Sequence, residues 1–200
     1  MGSPTPEEAE FFPTPAWCVH RLLEAVDLPA GDWIEPAVGN GDIVTAVNAV
    51  RTDVCWTAND IRPVPYLDCY QSLLQHDFGR MVSQRSWDVG ISNLPFSKAL
   101  PIVRGMLQLC THAAVLLPLA WPSAHERFDF LRAHKPDVLA LPDRPWDFVR
   151  DVAWFLWPSR GLGLEILPRT SREERKRDAA ALETTRYRGP EQLGLLEASS

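Results

Sequence analysis

The chain has 200 residues, a formal net charge of −6 and 46% hydrophobic residues, enough to bury one sizeable core and too apolar to be disordered throughout. The acidic balance excludes a surface that traps nucleic acid as a whole, though not a local basic groove. The apolar run Ala113 to Trp121 is too short and too Pro-interrupted to span a bilayer, and the N-terminus lacks the basic start of a signal peptide, so a cytoplasmic, soluble protein is expected.

Residues 1–10 read as a flexible, Pro- and Glu-rich lead-in. Phe11 and Phe12 then stand beside Pro13-Thr14-Pro15, and Trp17, Val19, Leu22, Leu23 and Val26 recur at helical spacing, with Thr14 as N-cap and Pro15 at N1. Taken alone, Phe11 and Phe12 are core or staple residues for that helix. A short strand over Trp33 and Ile34 runs into Glu35-Pro36-Ala37-Val38-Gly39-Asn40-Gly41 and then into a helix with an apolar face. Such a turn lets backbone approach a ligand closely, and the helix start offers N–H groups to carboxylates or hydroxyls. Val44 replaces the third glycine of a dinucleotide fingerprint, which speaks against pyrophosphate. Glu35, at the strand's carboxyl end, can accept from a cationic amino group.

The second strand, Val54 to Asp60, ends on an acid about 19 residues beyond Gly41, where nucleotide-binding folds place the residue that takes ribose hydroxyls. The competing reading is a loop cap. A helical stretch around Tyr66 to Leu74 leads to Asp77-Phe78, an acid and an aromatic wall suited to an adenine amino group, while His76 has no partnered nucleophile. The next strand, Trp87 to Ser92, ends in Asn93-Leu94-Pro95-Phe96. That tetrapeptide is either an ordinary turn with one buried ring or a grip on a planar amine, with the Asn oxygen and backbone carbonyls accepting hydrogens and the ring stacking.

Beyond it come a helix bearing Val103, Met106, Leu107 and Cys110, a buried strand Ala113 to Leu117, and a helix Ala124 to Ala133 capped by Ser123 with Phe128 and Leu131 on its face. Strands Val138 to Leu141 and Val152 to Trp157 follow, and Leu164 to Leu167 can add an edge piece. The pattern predicts one α/β Rossmann-like domain, residues 11–168, with a mostly parallel seven-stranded sheet finished by an antiparallel hairpin. Residues 169–200 form a charged, partly helical or disordered tail. Cys18, Cys55, Cys69 and Cys110 are widely spaced among apolar neighbours and read as core residues in a reducing compartment, not as a disulfide framework or metal site.

Phe12-Pro13-Thr14-Pro15, Glu35 to Gly41, Asn59-Asp60-Ile61, Asp77-Phe78, Asn93-Leu94-Pro95-Phe96 and Trp154-Phe155-Leu156-Trp157, in that order, resemble class I S-adenosylmethionine-dependent methyltransferases of the adenine-N6 type, most of all the compact phage or prophage branch. The resemblance implies S-adenosyl-L-methionine as cofactor. Phe12, Pro13 and Thr14 would close over its methionine end, and Glu35, Gly39 and Gly41 would line its amino acid and ribose. Asp60 would take the ribose hydroxyls, and Asp77 and Phe78 the adenine. Asn93, Leu94, Pro95 and Phe96 would hold the target amine, with no metal or covalent nucleophile. DNA is the substrate implied by the opening motif, the Asp143-Arg144-Pro145 segment and the late Trp strand. Leu94, where most DNA adenine enzymes have Pro, instead resembles rRNA adenine dimethyltransferases; a protein glutamine amide and a non-catalytic binding or anti-defence module also remain open. Arg62, Lys98, Arg127, Arg144 and Arg150 are candidate phosphate contacts. With no separate recognition domain, target choice is expected to be unspecific or to depend on a protein partner.

Overall fold

The computed structural model describes residues 12–64, 67–81, 85–146 and 151–185. The expected flexible lead-in, Phe11, Arg150 and the last fifteen positions lie outside these residues. One eight-stranded sheet runs through the molecule: β1 (Gly31–Glu35), β2 (Val54–Asn59), β3 (Tyr70–Leu74), β4 (Trp87–Asn93), β5 (Cys110–Pro118), β6 (Asp137–Ala140), β7 (Val152–Trp157) and β8 (Leu164–Ile166). Their order is β3-β2-β1-β4-β5-β7-β6-β8. The first five are parallel to one another, whereas β7 is antiparallel to both β5 and β6.

The sheet therefore corrects the expected count of seven. It also moves the hairpin inward, because β8 pairs in parallel along the outer side of β6, Val138 opposite Leu164. A second correction concerns Tyr70 to Leu74, which is strand and not helix. Ser72 donates its hydroxyl to Thr57 at 3.3 Å and Thr57 lies opposite Ser72 in the ladder. The apolar spacing that imitates a helix there arises because this edge strand packs only part of its length.

Helices cover both faces. α1 (Ala16–Ala25) and α2 (Asp42–Asn48) pack with Trp33, Trp56, Val89, Ile91, Leu116 and Trp154. α3 (Ala99–Leu109) buries Ile102, Val103, Met106 and Leu109 and covers Ile34, Trp87, Val115, Leu117 and Phe155 on the opposite face. The alternation of strand residues between the two layers is the period-two pattern of a sheet buried on both sides. All six residues of β7 are buried, each large side chain contributing about 1.5–3 kcal/mol to the core. No α-helix accompanies the crossover from β2 to β3 among the described residues, so the expected regular alternation is broken at that edge.

Several local expectations are also revised. Pro15, not Thr14, occupies the N-cap of α1, and no side chain caps it. The segment after β5 is two 3-10 turns, Trp121–Ser123 and His125–Arg127, before a short α4 (Phe128–Ala133), which has no side-chain cap. Phe128 is exposed, and Phe130 is the residue of α4 that reaches the core. All four cysteines are free, but Cys55 and Cys69 are exposed and only Cys18 is fully buried.

α5 (Arg172–Thr185) opens with a reciprocal cap: Glu174 N–H donates to Ser171 Oγ at 3.1 Å and Ser171 N–H to Glu174 Oε2 at 2.7 Å. These bonds, with Arg21, draw the Glu174 carboxyl down to about 2. Arg21 of α1 also reaches Glu174 at 2.9 Å and Thr170 at 3.2 Å, and buried Asp143 accepts from Thr170 N–H at 2.8 Å. The start of the charged C-terminal stretch is thus docked on α1. No helix among the described residues is long and apolar enough to cross a membrane.

Candidate functional site

A cleft of about 390 Å³ opens along the carboxyl ends of β1, β2, β3 and β4. This is where an open parallel sheet leaves a crevice between crossovers running to opposite faces. Its lining includes Phe12, Thr14, Glu35, Gly39, Asp60, Asp77, Phe78, Asn93 and Pro95. Four of the thirteen residues marked from sequence, Pro13, Gly41, Leu94 and Phe96, are not on that wall.

One side of the cleft is acidic. Glu35, at the end of β1, is 2% exposed. One of its oxygens accepts from Val44 N–H, while Oε2 is buried without a partner. Among the described residues it is the only buried unpartnered side-chain atom on the cleft wall. Burial, together with Asp42 and Asp60 nearby, holds the Glu35 carboxyl well above the usual carboxylate range. Asp60, at the end of β2, is 3% exposed and accepts from Gly39 N–H at 3.0 Å, from Arg62 N–H at 2.9 Å and from Arg62 Nε at 3.1 Å. Asn59 is a clip: its amide donates to the Pro36 and His76 carbonyls at 2.8 and 3.1 Å and accepts from His76 N–H at 3.1 Å. It ties together the turns carrying Glu35, Asp60 and Asp77.

Gly39 and Gly41 have φ of 53° and 77°, backbone that favours glycine. A Cβ on Gly41 would come within 2.7 Å of the Tyr70 hydroxyl and 2.6 Å of Leu67, so its glycine serves packing against β3 as well as the turn. Asp77 accepts from Gly79 N–H at 3.2 Å, and Phe78 is buried against α3, where Gly105 leaves room for the Phe78 carbonyl.

The other side is aromatic. Asn93 ends β4 and donates its amide hydrogens to the Phe12 carbonyl at 3.0 Å and to Thr14 Oγ1 at 3.1 Å. Thr14 is therefore spent on Asn93 and not on capping α1. With Nδ2 fixed in this way, Oδ1 remains as the acceptor that the amide presents. Leu94 is 1% exposed and packs in the core beneath the turn, so only its backbone can serve a ligand. Phe96 stands 5.9 Å from Phe12, and Phe12 stands 5.4 Å from Trp146. Trp146 also donates its indole N–H to the Pro13 carbonyl at 2.8 Å. No role was assigned to Trp146 from sequence. Its signal was the Asp143-Arg144-Pro145-Trp146 segment itself, whose ring could not be placed without the fold.

Of the candidate phosphate contacts, Arg62 and Lys98 line the cleft, joined by Arg80, which sequence reasoning missed. Arg127 instead donates to the Trp121 carbonyl at 2.6 Å, and Arg144 pairs with Asp151 at 3.0 Å. Among the described residues no group of three or more His, Cys, Asp or Glu could hold a metal ion.

No family model matches the sequence, and no curated protein matches it. Solved structures do. The chain overlays a candidate hemolysin from Lactococcus lactis with a TM-score of 0.54 at 9% identity, covering 82% of this chain and 96% of that one. It overlays a modification subunit of a candidate type I restriction enzyme from Vibrio vulnificus with a TM-score of 0.52 at 16% identity, covering 74% of this chain. It shares the fold of these two structures. A looser likeness, with a TM-score of 0.45 at 12% identity over 70% of this chain, is to the pyocyanin biosynthetic protein PhzM. The chain spans about half the length of these last two, 44% and 53% respectively.

Proposed function

We propose that the protein is an S-adenosylmethionine-dependent methyltransferase acting on the exocyclic N6 amine of adenine in DNA. The observation that carries this reading is the pairing, in one cleft, of the buried unpartnered Glu35 Oε2 with an Asn93 amide whose hydrogens are already spent. The first is an orphan acceptor in an acidic pocket and suits the cationic amino group of the cofactor's methionine end. Asp60 and Asp77 offer carboxylate oxygens to ribose hydroxyls and to an adenine amine on the same wall, with Phe78 beside them.

When bound, the cofactor supplies an electrophilic methyl on a sulfonium. The residues of this chain orient the amine. An exocyclic aromatic amine is a poor nucleophile because its lone pair is delocalised into the ring. Asn93 Oδ1 accepts one of its hydrogens, and a backbone carbonyl accepts the other. The second acceptor in this reading is the carbonyl of Leu94 or of Pro95, and that of Pro95 also receives Lys98 N–H at 3.0 Å. Two acceptors set to one side of the ring plane favour a pyramidal nitrogen, a gain in orientation and electrostatic preorganisation. Phe12, on the cleft wall, provides the apolar face for the base, with Phe96 packed 5.9 Å from it, and a base taken from a duplex costs a few kcal/mol to extrude.

RNA is the second reading, and Leu94 favours it, because Asn-Leu-Pro-aromatic resembles the rRNA dimethyltransferase motif. Mass spectrometry of nucleosides from the DNA and RNA of cells expressing the protein tests both at once. N6-methyladenine in DNA that is absent with Asn93→Ala is the expected result. Enrichment in RNA alone selects the second reading, and none in either, despite cofactor binding, defeats both in favour of a binding module.

A further inference from the structure

Two of the acids facing the cleft are each covered by an arginine a few residues downstream. Arg62 Nε lies 3.1 Å from Asp60 Oδ1 and its Nη2 3.4 Å from Asp60 Oδ2. Arg80 Nε lies 3.5 Å from Asp77 Oδ2. Exposure within each pair is lopsided: 40% for the Arg62 side chain against 4% for Asp60, and 89% for Arg80 against 48% for Asp77. Each guanidinium therefore sits on the solvent side of its acid, at the lip of the cleft. Lys98 completes this lip, exposed and in no ion pair among the described residues.

We propose that this lip binds the phosphodiester backbone of a nucleic-acid strand, and that cofactor occupancy sets its strength. The inference rests on the methyltransferase reading of the cleft. Asp60 and Asp77 can hold either their arginines or the hydroxyl and amine donors of an adenosine. A ligand that takes the carboxylates releases Arg62 and Arg80, whose planar donor forks suit phosphate oxygens. The Arg80–Asp77 pair is exposed and weak, and Asp60 keeps its bonds from the Gly39 and Arg62 backbone N–H groups when the Arg62 guanidinium leaves it, so a bound ligand's own hydrogen bonds replace both guanidinium contacts. Lys98 supplies the contact that is present in both states. On a chain whose net charge is −6, two cations freed at one edge change the local field where it matters. The coupling is reciprocal: the strand tightens the cofactor by the factor with which the cofactor tightens the strand.

The experiment is fluorescence anisotropy of a labelled single-stranded DNA oligonucleotide with the full chain, with and without saturating S-adenosylhomocysteine, beside calorimetry of S-adenosylhomocysteine alone. S-adenosylhomocysteine is expected to tighten the oligonucleotide about fivefold and to steepen the slope of log affinity against log salt by about 1.4, two phosphates at about 0.7 each. In the double variant Arg62→Ala/Arg80→Ala that gain disappears. Without S-adenosylhomocysteine the variant loses less oligonucleotide affinity than with it, and S-adenosylhomocysteine itself binds about threefold tighter because its competitors are gone. Asp60 keeps its bonds from the Gly39 and Arg62 backbone N–H groups in that variant, so the buried acid is not stranded. Two results overturn the proposal: S-adenosylhomocysteine that binds without changing oligonucleotide affinity, or a double variant equally weakened with and without it, which marks the arginines as permanent contacts. If S-adenosylhomocysteine does not bind wild type at all, it is the reading of the cleft that fails.

Discussion

The two halves of the cleft are built in opposite ways. Glu35, Gly39, Asp60 and Asp77 each sit at or just beyond the end of a strand, within a few residues of the turn that aims them, and Asn59 clips those turns together. The aromatic half is assembled from distant pieces: Asn93 reaches back 81 residues to Phe12, and Trp146 reaches back 133 residues to Pro13. The acidic half is thus encoded locally and the aromatic half globally. Binding on the one side and turnover on the other should accordingly be separable.

The largest expected effect tests that separation directly. Asn93→Ala should lower methyl transfer by about 100- to 1000-fold, the cost of removing one preorganised polar group, while S-adenosylhomocysteine affinity by calorimetry stays within about threefold of wild type. A parallel loss of affinity would merge the two halves. Asp60→Ala is the mirror case. It should weaken S-adenosylhomocysteine by about 10- to 100-fold, the scale of lost bonds to a charged group, and leave turnover at saturating cofactor within about threefold. A collapse of turnover would assign Asp60 a part in the chemistry.

Glu35 sharpens the acidic side through pH. Its carboxyl holds a proton to higher pH than an ordinary glutamate because burial and two neighbouring acids oppose its charge. A cationic amine favours the ionised form, so uptake at intermediate pH releases a proton and affinity rises with pH until Glu35 is ionised in the free protein. Glu35→Gln should flatten this profile and weaken binding about tenfold at the alkaline end. Stability has the opposite sign. The raised folded-state value favours the native state fully below the unfolded pKa, and this advantage is lost as pH rises through the folded one. Glu35→Gln should therefore have a Tm about 2–4 °C above wild type at neutral pH by calorimetry. A pH-independent affinity in wild type would remove Glu35 from the amine.

The smallest effect belongs to Trp146. Trp146→Phe keeps the ring against Phe12 but deletes the N–H to the Pro13 carbonyl. It should cost about three- to tenfold in kcat/KM for nucleic acid, one neutral hydrogen bond, with S-adenosylhomocysteine affinity unchanged. Equal losses in both quantities would make Trp146 a scaffold residue.

Much of this was legible before folding. Period-two and helical spacing gave most strands and helices, and the Gly39-x-Gly41 turn and strand-end acids marked the crevice because each needs only local backbone geometry. Tyr70 to Leu74 misled because a short edge strand packs partially and its apolar residues fall by chance at helical intervals. The Ser171 to Glu174 cap has the Ser-x-x-Glu spacing that is legible in sequence.

The chain alone determined which groups could meet at the carboxyl rim, since side-chain chemistry and turn propensity are properties of short segments. Only the tertiary structure decided how they are spent. Thr14, a plausible helix cap by position, became the acceptor for Asn93; Leu94, inside the motif, turned its side chain into the core; and Trp146 became the anchor of Pro13. The reason is physical: a buried polar group takes whichever partner the packed layers bring within about 3 Å, and separation along the chain does not predict that choice.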